Sequence, residues 1–208
     1  MKRAIIWDLD GTLFDSYDMI VGSIYTVFQE LDIPVSMEDI RRHALQFSIK
    51  SLFQIVSERY NVSVDFLNRR YGEISRGRYL DIKAMPNALD VLEQLRLRGI
   101  ANYVFTHRGK TTIPVLENLG MSNYFAEIIT SQSGFPRKPD PEALLYFIDK
   151  YAMEPACSYY VGDRKLDMEC AANAGIHGIL YVSENSVPNL CGKEFAVIEN
   201  LMDILNLI

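Results

Sequence analysis

The stretch Ala4-Ile5-Ile6-Trp7-Asp8-Leu9-Asp10-Gly11-Thr12 governs how the rest of the chain is read. Four apolar residues in a row, too few for a helix, make a buried strand of the kind found in parallel sheets. The run stops at a carboxylate, and a second carboxylate follows two residues later. In open parallel sheets, ligands bind outside the carboxyl ends of the strands, which is where Asp8 and Asp10 stand.

Downstream, the same grammar repeats. Asn102-Tyr103-Val104-Phe105 runs into Thr106, residues 127–130 read as another short strand, and Tyr159-Tyr160-Val161 ends at Gly162-Asp163. Residues 178–182 and a short edge strand at 195–198 follow. Between these strands the spacing predicts helices over 87–98, 110–119 and 141–151, then one running to Ala174 and a last one over 201–207. Gly99, Gly120 and Gly175 act as stops. Strands alternating with helices of about a dozen residues mean βαβ units and a parallel, Rossmann-like α/β core.

One block breaks the alternation. From residue 16 to 31, Ile20, Ile24, Val27, Phe28 and Leu31 follow helical spacing, with Asp15 or Ser16 as N-cap. Helices are predicted over 36–45, 49–60 and 64–80, with Ser36 and Ser63 as caps. No strand interrupts them. The reading is an all-helical lobe at residues 15–83 inserted into a core made of residues 1–14 and 84–208, with hinges near 14–15 and 82–86.

Composition excludes several classes. With 208 residues, 49% of them hydrophobic and 23% charged, the chain holds a sizeable core and is not a disordered polymer. Its net charge of −6, from 21 Lys+Arg against 27 Asp+Glu, gives no pull toward nucleic acid or an anionic membrane. No apolar run nears the roughly 18 residues of a membrane span, and residues 4–7 are too short for a signal-peptide core. Cys157, Cys170 and Cys191 have neither paired nor metal-ligand spacing, so reduced thiols in a cytoplasm are expected. The sequence specifies no oligomeric state.

If the strands ending at Asp8, Thr106 and Asp163 are neighbours, those residues meet in one crevice with Asp10 and Asp167. Four carboxylates that close need compensation, because like charges push pKa values up. A hard divalent cation resolves the conflict, and Mg²⁺ binds alongside an oxygen-rich anionic substrate such as a phosphate. Lys138, in the proline-stiffened loop Arg137-Lys138-Pro139-Asp140-Pro141, adds a fixed cation.

Asp8-Leu9-Asp10-Gly11-Thr12, Thr106, Lys138-Pro139-Asp140-Pro141 and Gly162-Asp163 with Asp167 resemble, in order, the four motifs of the haloacid dehalogenase superfamily. The likeness spans essentially the whole chain, and the helical insertion looks like that superfamily's C1-type cap. It implies a phosphatase of small phosphorylated metabolites, similar to phosphoglycolate phosphatases. Asp8 is then the nucleophile and Asp10 the general acid and base. The resemblance also implies Mg²⁺ held by the Asp8 carboxylate, the Asp10 carbonyl and Asp163, with Asp167 supporting its water shell. Thr106 and Lys138 bind the phosphoryl oxygens, at a loop that Gly11 lets approach closely.

Two departures stand out. His107-Arg108-Gly109 follows Thr106 where phosphoglycolate phosphatases commonly carry Asn-Lys, leaving His107 as a contact to phosphate or leaving group. Residues 45–51 also lack the glycine often found in that family's specificity loop, so Gln46 and Lys50 are the candidates for reaching substrate. A phosphomutase of the β-phosphoglucomutase type shares all four motifs. A 2-haloacid dehalogenase has no use for a carboxylate at Asp10. A non-catalytic protein on the same fold would be expected to have lost Asp8, Asp10 or Lys138.

Overall fold

The N-terminal apolar run is the strand around which the core is assembled. In the computed structural model, which describes residues 3–208 apart from 185, 187 and 189, it forms β1 (Ala4–Trp7), followed by the two-residue β2 (Phe14–Asp15). Four helices come next: α1 (Tyr17–Glu30), α2 (Met37–Gln46), α3 (Ile49–Tyr60) and α4 (Val64–Arg76). The chain returns through β3 (Lys83–Ala84), α5 (Ala88–Leu97), β4 (Ala101–Phe105), α6 (Thr112–Asn118) and β5 (Phe125–Ile129). It ends with α7 (Glu142–Tyr151), β6 (Ser158–Gly162), α8 (Lys165–Ala174), β7 (His177–Tyr181), β8 (Ala196–Ile198) and α9 (Ile204–Leu207). Two compact units result, Met1–Asp15 with Lys83–Ile208, and Ser16–Ile82. Among the described residues, no helix is long and apolar enough to cross a membrane.

In the first unit six parallel strands pair in the order β5-β4-β1-β6-β7-β8. β1 registers Trp7 against Val104 on one side and Val161 on the other. The chain builds outward from β1 through β4 to β5, then crosses back to β6, so strand order reverses at β1. That reversal opens a crevice at the carboxyl ends of β4, β1 and β6. Ala4, Ile6, Tyr103, Phe105 and Tyr160 share a buried cluster with Phe147, Cys170 and Ala171 from α7 and α8. Ile5 and Trp7 alternate to the opposite face. Trp7 is fully buried, and its indole N–H donates to Asn102 Oδ1 at 2.9 Å, which satisfies a buried amide on β4.

The second unit is held by apolar faces of its four helices, with Phe28 and Phe53 edge to face at 6.3 Å and Phe53 against Tyr71 at 5.9 Å. Ser36 and Ser63 cap as expected, accepting from the backbone N–H groups of Asp39 (3.1 Å) and Phe66 (3.4 Å), and Ser48 does the same for Ser51 (3.0 Å). Ser16 occupies the N-cap of α1 but does not cap it. Its backbone is already helical (φ −110°, ψ −12°), which turns the buried hydroxyl away from the first-turn amides.

Three expectations change. The helix expected over 64–80 stops at Arg76, where Gly77 takes the C-cap position, and a separate 3₁₀ turn forms at Tyr79–Asp81. The last helix opens as a 3₁₀ turn, Leu201–Asp203, because the Asn200 side chain accepts from the Met202 N–H at 2.9 Å. A two-residue antiparallel ribbon, Phe14↔Ala84 and Asp15↔Lys83, closes the first unit where the helical insertion leaves and returns, and it is too short to carry a periodic signal.

Candidate active site

Asp8 follows directly on β1, Thr106 on β4 and Asp163 on β6, so the three strand ends that carry polar residues are neighbours. At their centre is a buried cation. Lys138 Nζ lies 2.8 Å from Asp8 Oδ1 and 2.8 Å from Asp167 Oδ1, and all three side chains are at most 1% exposed. The rings of Phe105 and Tyr160 flank the ammonium at 5.2 and 5.1 Å. Burial pulls the Lys138 pKa down, but the Asp167 and Asp8 carboxylates outweigh it and hold it above the ordinary lysine value. Burial pushes the Asp167 carboxyl up, with Lys138 opposing.

Asp167 is fixed at both oxygens. Oδ1 takes Lys138 and the Tyr160 hydroxyl (3.3 Å), while Oδ2 accepts the Arg164 backbone N–H at 3.1 Å in the first turn of α8. Asp8 is different: it is 1% exposed, and beyond the Lys138 ion pair neither of its oxygens accepts a directed hydrogen bond among the described residues. Arg164 approaches from the other side, with Nη2 3.7 Å from Asp8 Oδ2 and Nε 3.8 Å from Asp163 Oδ1.

Carboxylate oxygens of Asp8, Asp163 and Asp167 lie within 4.8 Å of one another. Three acids against the cations of Lys138 and Arg164 leave negative charge over, and Asp8 has acceptor capacity to spare. That donor set is all oxygen, as a hard divalent cation requires, so the residues fit Mg²⁺.

Thr106 is buried, and its Oγ accepts the Arg108 backbone N–H at 3.2 Å, which leaves the hydroxyl proton to donate. Gly11 has φ +83°, and its N–H donates to Phe14 O at 2.9 Å. Its amide is therefore spent inside the turn, and its contribution is conformational instead of a ligand contact. His107, expected at phosphate or leaving group, faces the lysine loop: Nε2 accepts the Lys138 backbone N–H at 2.9 Å, and Nδ1 sits 3.1 Å from Arg137 Nη2. Burial, then the charges of Lys138, Arg137 and Arg164, push its pKa down to about 2, so the ring stays neutral and its Nε2, occupied as an acceptor, offers no proton to a leaving group.

Gln46 ends α2, and Lys50 lies in the first turn of α3, beside a shallow hollow lined with Ser48, Ser51, Gln54 and Ile55. Both are exposed residues of the helical unit.

Besides Arg164, sequence reasoning missed the roles of three groups. Arg108 grips the Asp10 carboxylate, with Nη2 2.6 Å and Nε 3.0 Å from Oδ1 and Nε 3.2 Å from Oδ2. Tyr160 donates to Phe105 O at 2.9 Å and walls the lysine, though it reads in the sequence as one more apolar strand residue. Gly162 leaves room for Asp167: a Cβ there would lie 2.4–2.6 Å from the Asp167 side chain. Only the position of Arg108, two residues after Thr106, carried a signal, through its departure from Asn-Lys.

Comparison with known proteins gives the family. Residues 5–181 match the family model described as haloacid dehalogenase-like hydrolase. The phosphoglycolate phosphatase of Pasteurella multocida is 27% identical, over 99% of this chain and 98% of its own. Pyrophosphatase PpaX of Oceanobacillus iheyensis is 26% identical, over 99% and 96%. A solved structure of a predicted phosphoglycolate phosphatase from Haemophilus somnus superposes with a TM-score of 0.86 at 24% identity, covering 99% of this chain and 97% of that one, a likeness of fold. With Asp8, Thr106, Lys138 and Asp163 gathered at the switch point of a parallel sheet and a family match across most of its length, this chain belongs to the haloacid dehalogenase-like hydrolases.

Proposed function

We propose that the chain is a Mg²⁺-dependent phosphatase of small phosphate monoesters, acting through an aspartyl-phosphate on Asp8, with phosphoglycolate the first ester to assay. The observation that carries it is the Asp8 carboxylate, buried beside Lys138 and still without a directed hydrogen bond. An oxygen kept that way is poised to make a bond. The two relatives named above act, by their names, on a phosphate ester and on pyrophosphate.

In the first step an Asp8 oxygen bonds to phosphorus as the bond to the leaving oxygen breaks, and the Asp10 carboxyl gives its proton to that oxygen. In the second, water bonds to phosphorus, Asp10 takes the water's proton, and the Asp8–phosphorus bond breaks. Lys138 and the Thr106 hydroxyl hold the equatorial oxygens throughout. Mg²⁺, when bound by the Asp8 and Asp163 carboxylates and the Asp10 carbonyl with Asp167 behind them, supplies charge neutralisation and Lewis-acid polarisation of the phosphoryl group. Gln46 and Lys50 are proposed as specificity contacts, to be tested by substitution against a panel of esters.

The test separates the two aspartates. Asp10→Ala keeps the nucleophile, so an aryl phosphate with a good leaving group still phosphorylates it, and the phosphoenzyme accumulates. Its turnover falls roughly 10²–10⁴-fold. Asp8→Asn forms no phosphoenzyme. Mass spectrometry after acid quench reads both. A phosphoryl group found on Asp8→Asn would move the nucleophile elsewhere, and transfer to a hexose phosphate instead of water would make the chain a mutase.

A further inference from the structure

We infer that Arg108 is a positioning residue for Asp10, holding that carboxylate in the orientation from which it exchanges protons with leaving group and water. The inference rests on the phosphatase reading above and adds a residue to it.

The geometry is directional. Two guanidinium nitrogens converge on Asp10 Oδ1 at 2.6 and 3.0 Å, whereas among the described residues Oδ2 takes the longer 3.2 Å contact from Nε. Oδ1 is the anchored oxygen and Oδ2 the one left to work. The Arg108 side chain is 7% exposed and that of Asp10 22%, so the cation is deeper than the acid it holds.

The fork is itself braced. Nη1 donates to Thr111 Oγ1 at 2.9 Å, and the guanidinium carbon lies 5.8 Å from the Phe14 ring centroid. The Arg108 backbone is tied at both ends, its N–H to Thr106 Oγ1 (3.2 Å) and its C=O to the Ser131 N–H (3.1 Å). The residue that orients Asp10 therefore also touches the threonine proposed to hold phosphate. A planar fork does what a lysine ammonium at the same place does not, since the ammonium has no fixed second donor.

Orientation of an acid matters in proportion to how much the leaving group needs a proton. Arg108→Gln, Arg108→Lys and Thr111→Val are compared with wild type on an alkyl phosphate and on p-nitrophenyl phosphate. In Arg108→Gln, turnover of the alkyl ester falls at least about tenfold further than formation of the phosphoenzyme from the aryl ester, and phosphoenzyme accumulates because water activation is impaired too. Arg108→Lys resembles Arg108→Gln, and Thr111→Val shows the same pattern at smaller size. Thr111→Val reports on the fork even if loss of the arginine prevents folding. Equal losses on both esters without accumulation of phosphoenzyme, or full rescue by lysine, overturn the inference and leave the phosphatase reading standing. A wild-type protein that releases phosphate from neither ester overturns both.

Discussion

At the scale of single residues, the site depends on two positions that do no chemistry. Gly162 is one: with a Cβ 2.4–2.6 Å from the Asp167 side chain, Gly162→Ala forces Asp167 off Lys138 or distorts β6. Its expected cost is about 1–3 kcal/mol in urea denaturation, with a larger fall in turnover; wild-type stability and activity would mean Asp167 has room to move aside. His107 is the other. Its pKa of about 2 in the folded chain lies below the ordinary histidine value of 6.5, so below pH 6.5 the unfolded chain takes up a proton that the folded one refuses. The His107 contribution is complete above pH 6.5 and is lost as pH falls from there toward 2. Between pH 6.5 and 5 it removes at most about 2 kcal/mol, at about 1.4 kcal/mol per unit. In His107→Gln, which keeps an acceptor for the Lys138 N–H, the drop in urea midpoint over that interval shrinks; an unchanged drop would put the acid sensitivity elsewhere. Asp8, Thr106, Lys138 and Asp163 were legible because each stands at a fixed offset from a strand or a proline loop. Gly162 and Arg108 were not, because their partners, Asp167 across a turn and Asp10 from 98 residues upstream, exist only once the sheet has formed.

Among the elements, the helix starts show what a pattern says and what it leaves out. Ser16 and Ser36 read alike in the sequence, each a serine ahead of an amphipathic run. Ser36 is extended (φ −75°, ψ 155°) and its hydroxyl meets the Asp39 N–H, whereas Ser16 is already helical and its buried hydroxyl finds no partner. Ser36→Ala is therefore expected to lower stability by about 1 kcal/mol. Ser16→Ala removes an unsatisfied polar group, so it is neutral or stabilising. Differential scanning calorimetry of the two variants decides it, and a loss in Ser16→Ala equal to that in Ser36→Ala would contradict the assignment. Strand and helix order was readable because β1, β4 and β6 are apolar runs ending in polar residues. The ribbon of β2 and β3 was not, since two residues hold no period.

For the molecule as a whole, the insertion leaves and re-enters at paired positions, Asp15 opposite Lys83, while every strand of the large sheet lies in the other unit. Replacing residues 16–82 by a two-residue Asn-Gly turn is thus expected to leave a core that folds cooperatively, because the ribbon accepts a hairpin closure. Circular dichroism on heating would show one sharp transition; a broad, non-cooperative melt would mean the core needs its insertion. The place of β1 has a further consequence for how the protein is made. It precedes both of its neighbours in the chain: β4 begins at residue 101, so β1 has no partner until about half of the 208 residues exist, and it is flanked on both sides only once β6, from residue 158, has followed. During synthesis at about 5–20 residues per second, that is an interval of several seconds or more in which an apolar strand waits while the helices behind it fold from local contacts. The strand that leads into Asp8 is translated well before the strands that flank it, so in a nascent chain the carboxylate proposed as nucleophile is held from both sides only after β6 has been made.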